Sequence, residues 1–339
     1  MNTNENHCFR LPAEWEPQSG IILIWPHEDT DWRPYLNEIT EVYLQMADAI
    51  TRFEPLLITA RDTEKIHSLL AERLTEGQMK RVTLFACDNN DTWARDVAPI
   101  SLVSDKEPKG SLQALCLLDF CFNGWGEKFA AEKDNRINRQ LYEAGLLQGV
   151  LENHKNFVLE GGSIESDGDR TLFTTTGCLM APHRNQPLTQ EEIDKRLRLF
   201  FPNVERVVWL DYGQLAGDDT DGHIDTIVRV APNHTLLYIG CDDKEDEHYE
   251  DFRLLEEQLK QLRTIDGDPY RLLRLPMPDA IYDDGERLPA THANFLIING
   301  AVLVPTYNQP EKDKAALDTI QEAFPDREII GIDSRTIIR

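Results

Sequence analysis

Basic residues and long apolar runs are both scarce in this 339-residue chain. Lys and Arg number 35 against 60 Asp and Glu, which gives a formal net charge of -25. An acidic chain repels phosphate and anionic lipid, so neither nucleic acid nor a membrane is an expected partner. No apolar run approaches the roughly 20 residues that cross a bilayer, and Met1–Arg10 lacks the apolar core of a secretion signal. We therefore expect a cytoplasmic protein whose partner is a small cation.

Cysteine is sparse as well, and its spacing excludes the common cysteine frameworks. No Cys-x-x-Cys pair is present, and the density is below that of a secreted disulfide scaffold. We expect reduced thiols that mostly lie in the core, with no zinc site, no other metal and no cofactor. The cysteines are Cys8, Cys87, Cys116, Cys121, Cys178 and Cys241.

Apolar residues at helical and strand spacing alternate along the chain. A stripe from Ile39 to Phe53 predicts one helix, and a capping box at Thr189–Glu192 begins another. Two more helices are predicted over Phe252–Leu262 and after Pro310. Short apolar runs predict strands. These runs are Ile21–Trp25, Leu56–Thr59, Ala114–Phe120, Thr235–Gly240, Asn294–Ile298 and Ala301–Val304, with Asn299-Gly300 as a hairpin turn between the last two.

The order of these elements predicts an α/β fold made of repeated units. From the middle of the chain onward, a helix recurs roughly every 60 residues with strands on both sides, as in a closed ring of β-rich units. No linker interrupts the pattern. We therefore expect one domain over residues 1–339.

Two segments place an acidic residue beside groups that suit a binding site. In NNDTWARDVAP, Asp96 lies close to Trp93 just before a proline. In VLEGGSIESDG, Glu160 ends an apolar run and precedes Gly161-Gly162, where the backbone can turn tightly or approach a ligand.

A third segment, GDDTDGHIDT, contains histidine. His223 and Asp225 are predicted to begin a strand, where residues two apart project from the same face and Ile224 points into the core. Asp218 and Asp219 belong to the acidic loop that leads into this strand.

Each segment alone also fits a solvated turn or a surface pair, and their combination is what favours function. Carboxylates held together repel one another until a cation arrives. A guanidinium suits them because its forked N–H donors match carboxylates bidentately. Trp93 or Trp125, the latter in FNGWG, would lie against its flat face or its aliphatic tail.

The chain resembles a known family along nearly its whole length from Leu11. The matching stretches, in order, are LPAEWEPQSGIILIWPHEDTDW, NDTWARDVAP, FNGWG, LEGGSIESDGDRTLFTT, GDDTDGHIDT and NFLIINGAVLVPTYNQPEKDKAALDTIQEAFPDREIIGID. They are similar to the agmatine deiminase and bacterial peptidylarginine deiminase family of guanidine-modifying enzymes.

The resemblance implies an α/β-propeller (pentein) fold, with five ββαβ-like units around a central active site. It also implies a thiol mechanism in which Asp96 and Asp225 clamp the guanidinium and Glu160 holds and polarises it. His223 would be the general acid and base. A cysteine thiolate would form a covalent amidino intermediate that water resolves.

The sequence departs from the family pattern at several positions. The nucleophilic cysteine of the family lies in a Gly-rich segment that is expected after Arg339, and none of the six cysteines matches it. The family's Gly-Gly-x-Ile-His has Glu165 in place of His, its Ser-Tyr before Asn-Phe is Thr291-His292, and its Thr-Gly after Arg-Asp is Val97-Ala98.

Alternatives remain open at this point. The chain is either a deiminase or a non-catalytic relative that binds guanidinium compounds, and peptidyl-arginine and free arginine are alternative substrates to agmatine. A non-haem iron site of His223, Asp225 and His292 is a further alternative. The sequence leaves open a homo-oligomer. For agmatine, Asp218 or Asp219 would receive the second cation.

Overall fold

The computed structural model of the chain describes residues 9–104, 106 and 114–339. Within them the strands are β1 (Phe9–Arg10), β2 (Ile21–Ile24), β3 (Leu56–Ala60), β4 (Val82–Ala86), β5 (Ile100–Ser104), β6 (Leu115–Cys121), β7 (Val150–Val158), β8 (Ile164–Ser166), β9 (Thr171–Thr175), β10 (Arg206–Leu210), β11 (Val228–Ala231), β12 (Thr235–Gly240), β13 (Arg271–Pro276), β14 (Tyr282–Asp283), β15 (Glu286–Arg287), β16 (Leu296–Ile298), β17 (Ala301–Thr306) and β18 (Glu328–Asp333).

Helices connect these strands. The α-helices are α1 (Leu36–Phe53), α2 (Thr63–Arg73), α3 (Glu76–Met79), α4 (Ala94–Val97), α5 (Asp134–Glu143), α6 (Thr176–Leu179), α7 (Gln190–Phe200), α8 (Tyr249–Gln261) and α9 (Pro310–Ala323). Single 3₁₀ turns lie at Arg33–Tyr35, Gly161–Ser163 and Ile224–Thr226. None of the helices in the described ranges has both the length and the apolar composition needed to cross a membrane.

Four sheets share one topology. In each, the first strand pairs antiparallel with the second, and the second pairs parallel with the third after a helix. The sheets are β5-β6-β7, which β1 extends, β8-β9-β10, β11-β12-β13 and β16-β17-β18. The parallel pairs need a crossover, and α5, α7, α8 and α9 supply it.

A fifth sheet, β2-β3-β4, is parallel throughout, with α1 before β3 and both α2 and α3 before β4. Helix α1 also packs against β17 and β18 of the last sheet, which joins the two ends of the series. The described chain is therefore an α/β-propeller of five units, as the family resemblance predicts.

Most of the predicted elements are present. The apolar stripe lies on α1, where Ile39 and Ile50 are fully buried, and the capping box begins α7. The hairpin pairs Ile298 with Ala301, and Gly300 takes the left-handed φ of 81° that its turn requires.

Two of the predicted helices end early. Leu262 and Phe324 each come just after the last helical residue, because the backbone leaves the helical conformation there.

The cysteines within the described residues carry free thiols, and four of the five are buried. Cys8 lies outside the described residues. The prediction of reduced, mostly buried thiols is confirmed for the other five.

Candidate active site

The connections between successive units bring the four predicted catalytic side chains together. Asp96 lies between the first and second units, Glu160 between the second and third, and His223 with Asp225 between the third and fourth. A Cβ placed on Gly162 would lie 2.5 Å from Nδ1 of His223 and 3.0 Å from an oxygen of both Asp96 and Asp225. Glycine is needed here because three functional side chains converge on its backbone.

Asp96 is held by two hydrogen bonds from other segments. The backbone N–H of Gly162 donates to its Oδ1 at 3.0 Å, and the indole Nε1 of Trp125 donates to its Oδ2 at 3.2 Å. Trp125 belongs to a turn, Gly124–Glu127, whose four residues all have φ between 54° and 86°. Non-glycine residues seldom adopt this conformation, and such strained turns concentrate at functional sites.

The two tryptophans predicted to bind substrate form part of one aromatic cluster. The ring of Trp125 meets that of Trp93 edge to face at 6.1 Å, and Trp32 lies on the other side of Trp93 at 5.9 Å. Trp125 is buried, and its indole N–H is already donated to Asp96, so it orients that carboxylate. Trp93 is only partly buried.

Glu160 is fully buried and paired with an arginine that sequence analysis did not single out. Arg184, also buried, donates from Nε to Oε1 of Glu160 at 3.1 Å. Its other nitrogens donate to Oδ2 of Asp221 and to the backbone oxygen of Thr220, each at 2.6 Å. Arg184 therefore joins Glu160 to the acidic loop. Its only sequence signal is an arginine in the loop before α7.

The predicted strand at His223 is wrong, although the convergence of His223 and Asp225 is present. His223 precedes a 3₁₀ turn, Ile224–Thr226, and the strand begins only at Val228. The turn closes because the N–H of Ile227 donates to the carbonyl of Ile224 at 3.0 Å. Ile224 is fully buried, as predicted.

A chain of ion pairs extends from Asp225 away from the site. Nε of Arg95 lies 3.9 Å from Oδ2 of Asp225, and Arg95 is also paired with Glu14. Glu14 accepts from Arg229 at 2.5 Å, and Arg229 donates to Glu165 at 2.6 Å. Glu165, which replaces the histidine of the family pattern, is thus one end of this chain of ion pairs, and both it and Arg229 are buried.

Within this network, the pKa values of the two glutamates are shifted in opposite directions. Burial raises the pKa of Glu14, but Arg95 and Arg229 outweigh that effect and bring it below its usual value. Burial raises the pKa of Glu165, and Arg229 only partly opposes the shift.

Three buried polar atoms at the centre of the site have no hydrogen-bond partner among the described residues. They are Oε2 of Glu160, Oδ1 of Asp225 and Nε2 of His223. Leaving such atoms unpaired costs roughly 1–3 kcal/mol each, and more for charged groups. The arrangement therefore favours a ligand with several N–H donors.

Burial and the neighbouring charged groups shift the pKa values of Asp225 and His223. Burial raises the pKa of Asp225 to about 6, although His223 and Arg95 act in the opposite direction. Burial lowers the pKa of His223, but the neighbouring Asp96, Cys178 and Glu160 outweigh it and raise the pKa well above its usual value. His223 therefore holds its proton more strongly than a free imidazole does, which suits it to donate a proton.

The acidic loop separates the roles of its aspartates. The carboxylate of Asp218 accepts from the hydroxyl and N–H of Thr220 and from the N–H of Gly222, so it holds the loop together. Asp219 is exposed, and its side chain has no hydrogen bond to any described residue. Nζ of Lys128 donates to its backbone oxygen at 2.6 Å.

The departures at Thr291 and His292 have structural partners. The hydroxyl of Thr291 donates to the carbonyl of Thr226 at 2.6 Å. The ring nitrogens of His292 lie 3.0 Å from the carbonyl of Pro276 and 3.1 Å from Asp313. Both are engaged, so His292 offers no free nitrogen to an iron site with His223 and Asp225.

Comparison with known proteins shows which family the chain belongs to. The model of the Porphyromonas-type peptidyl-arginine deiminase family matches residues 10–339. An agmatine deiminase of Pseudomonas aeruginosa is 31% identical over 353 residues, covering 97% of this chain and 92% of its own.

Solved structures of relatives superpose over nearly the whole chain. A candidate arginine deiminase from Porphyromonas gingivalis has a TM-score of 0.89 and 46% identity, covering 97% of this chain and 94% of its own. A cysteine-to-serine variant of the agmatine deiminase of C. jejuni, with substrate bound, has a TM-score of 0.88 and 35% identity, covering 98% of this chain and 92% of its own.

The pKa of Asp225 gives a testable pH dependence. The carboxyl attracts a guanidinium only when ionised, and ionisation is lost as the pH falls through about 6. We expect the affinity for methylguanidinium, measured by calorimetry, to fall below about pH 6 and to approach a tenfold loss per pH unit. In Asp225→Asn the affinity should be lower and this step absent. An unchanged step in that variant would assign the titration to another group.

Proposed function

Because the chain belongs to the Porphyromonas-type peptidyl-arginine deiminase family, hydrolases that act on the C–N bonds of amidine groups, we propose that its substrate is agmatine. The products are N-carbamoylputrescine and ammonia. The observation that carries the proposal is the set of unpaired atoms on Glu160, Asp225 and His223 at the centre of the site.

A guanidinium matches the two carboxylate oxygens among these atoms in both charge and shape. It is planar and has five N–H donors when one nitrogen carries a carbon tail, so several buried acceptors can be satisfied at once. An ammonium has only three donors on one point-like nitrogen. In the proposed complex, Asp96 and Asp225 hold the guanidinium and Glu160 accepts from it through its free Oε2.

The proposed reaction proceeds in two steps. A thiolate attacks the guanidinium carbon, His223 gives its proton to the departing nitrogen, and ammonia leaves behind an amidino thioether. Water then loses a proton to His223 and attacks the same carbon, so that the carbon–sulfur bond breaks and the thiolate is restored. The pKa of His223, raised by Asp96, Cys178 and Glu160 against the effect of burial, suits the first of these transfers.

The attacking thiol is assigned to the chain that follows Arg339. The connection after each of the first three units carries a functional side chain, and the residues after β18 occupy the same position in the fifth unit. Arg339 lies 3.6 Å from Asp283 of the β14–β15 hairpin, and Glu286 of that hairpin adds to the negative field at Asp219.

Asp219 is the residue we propose for the tail of the substrate. Agmatine carries an ammonium at its far end, and the carboxylate of Asp219 is exposed and uncommitted, whereas that of Asp218 is used within its loop. Free arginine carries a carboxylate as well as an ammonium at that end, and peptidyl-arginine carries peptide bonds there. The acidic loop disfavours a carboxylate, which supports agmatine over free arginine.

The primary test is ammonia release from agmatine by the full-length protein. We expect turnover in the wild type and a loss of about 10²–10⁴-fold in kcat for His223→Ala, because general acid–base catalysis is removed. His67→Ala, an exposed histidine on α2, is the matched control and should retain full activity. Near-normal turnover in His223→Ala would remove its role, and turnover of arginine alone would replace the substrate.

Replacing Asp219 tests the recognition of the tail. Asp219→Asn should raise KM for agmatine roughly two- to fivefold, as expected for one exposed charge pair, and leave KM for butylguanidine unchanged. Asp326→Asn, another exposed aspartate, is the control. Equal changes with both substrates would show that Asp219 does not receive the ammonium.

A reactive guanidinium analogue tests the position of the nucleophile. Chloroacetamidine should alkylate one thiol, agmatine should protect it, and peptide mass spectrometry should place it after Arg339. Label on Cys178 or another of the six cysteines, protected in the same way, would contradict the assignment.

A further inference from the structure

Cys178 lies beside the catalytic set, where it neither attacks the substrate nor transfers a proton in the proposed reaction. It is fully buried on α6, immediately after β9. One ligand atom each from Cys178, Glu160 and His223 lie within 4.8 Å of one another. Thiolate, imidazole and carboxylate are the ligands that zinc takes in proteins.

The geometry is close to that of three ligands on one ion. With Zn–S near 2.3 Å and Zn–N or Zn–O near 2.0–2.2 Å, the ligand atoms of a tetrahedral site lie about 3.4–3.6 Å apart. The present separations, at most 4.8 Å, need to contract by at most about 1.4 Å to reach this. A rotation of the Glu160 or Cys178 side chain supplies a change of that size.

Two of the ligand atoms have no partner among the described residues, which points to an occupant. Oε2 of Glu160 and Nε2 of His223 are buried and unpartnered, while Oε1 of Glu160 is already bound to Arg184. Nδ1 of His223 faces Oδ1 of Asp96 at 3.7 Å. Zinc-bound histidines commonly present their other nitrogen to a carboxylate in this way.

The surrounding charge also favours a cation. Asp96 and Asp225 lie next to His223, and ionised Cys178 would add a further negative charge. The positive charge of Arg184 repels the ion, but Arg184 is itself paired with Asp221 and Glu160.

We propose that Glu160, Cys178 and His223 form an inhibitory binding site for Zn²⁺, which competes with the guanidinium substrate. The competition follows because Glu160 and His223 cannot serve both cations at once. Binding of the ion displaces the proton of the Cys178 thiol and the proton on the ligating nitrogen of His223, so it strengthens as the pH rises. The inhibition rests on the proposed function, whereas the binding does not.

The test uses Co²⁺ as a coloured probe for Zn²⁺ in the full-length, metal-free protein. We expect one equivalent to give a thiolate-to-metal charge-transfer band and the intense visible absorption of four-coordinate Co²⁺, both displaced by Zn²⁺. Cys178→Ser should lose the charge-transfer band and weaken binding at least about tenfold. Cys241→Ser is the control, because its buried thiol donates to the carbonyl of Asp243 far along the chain from this cluster.

The second measurement is the inhibition of agmatine turnover by Zn²⁺. Zn²⁺ should raise KM for agmatine in the wild type and in Cys241→Ser, whereas in Cys178→Ser the ion should leave KM unchanged at whatever turnover that variant has without metal. If Cys178→Ser does not fold, Cys178→Ala serves in its place.

The outcomes separate this proposal from the proposed function. A band that survives in both Cys178 variants places the metal on a different thiol and overturns the site, as does the absence of any band in the wild type. A Cys178-dependent band in a protein that does not turn over agmatine would keep the metal site and reject the deiminase.

Discussion

The structure depends on one electrostatic constraint, which is that three carboxylates are buried around a single histidine. Asp96, Glu160 and Asp225 are each less than a tenth exposed, and like charges at this depth favour protonation unless something compensates them. Asp96 is compensated by two hydrogen bonds, from Trp125 and from a backbone N–H, whereas Glu160 is paired with Arg184 and Asp225 with Arg95. These contacts satisfy only part of each carboxylate. The remainder is available to a cationic ligand, so the negative site is maintained without being neutralised by the protein.

The compensating residues come from distant parts of the chain, which makes the site a product of ring closure. Glu14 and Arg229 are 215 residues apart and meet directly, and Arg229 then meets Glu165. Buried ion pairs contribute little net stability because desolvation offsets most of their attraction. Their effect here is orientation, since Arg95 is fixed between Glu14 and Asp225. Loss of one member would leave an uncompensated buried charge beside the site.

Local sequence patterns predicted the elements and the central residues but not the partners that hold them. The periodicity of α1, the capping box of α7 and the turn at Asn299-Gly300 depend on neighbouring residues, and all three are present. Asp96, Glu160, His223 and Asp225 were identified by their motifs. Arg184, Arg229 and Cys178 were not, because their importance comes from contacts across the fold and no local spacing encodes those.

The wrong strand at His223 has the same physical origin. With only His223 and Asp225 to compare, two side chains that converge at a spacing of two residues fit a short turn as well as an extended strand. The buried Ile224 fits either, so the alternation could not distinguish them. The decisive feature is the network of Thr220, Asp218 and Gly222, which fixes the approach to His223 and leads into a 3₁₀ turn.

Arg184 connects the two ends of the proposed substrate site. Its guanidinium bonds Glu160 through one nitrogen and the 220–221 segment through the other two. That segment adjoins Asp219, so a movement of the tail-binding loop displaces the arginine that orients Glu160. Because Arg184 is buried and in contact with both, it has little freedom to absorb such a movement. In the proposed complex, recognition of the tail and placement of the guanidinium are therefore linked through Arg184, and a guanidine with an unsuitable tail would meet a less well-ordered Glu160 as well as a poorer tail contact.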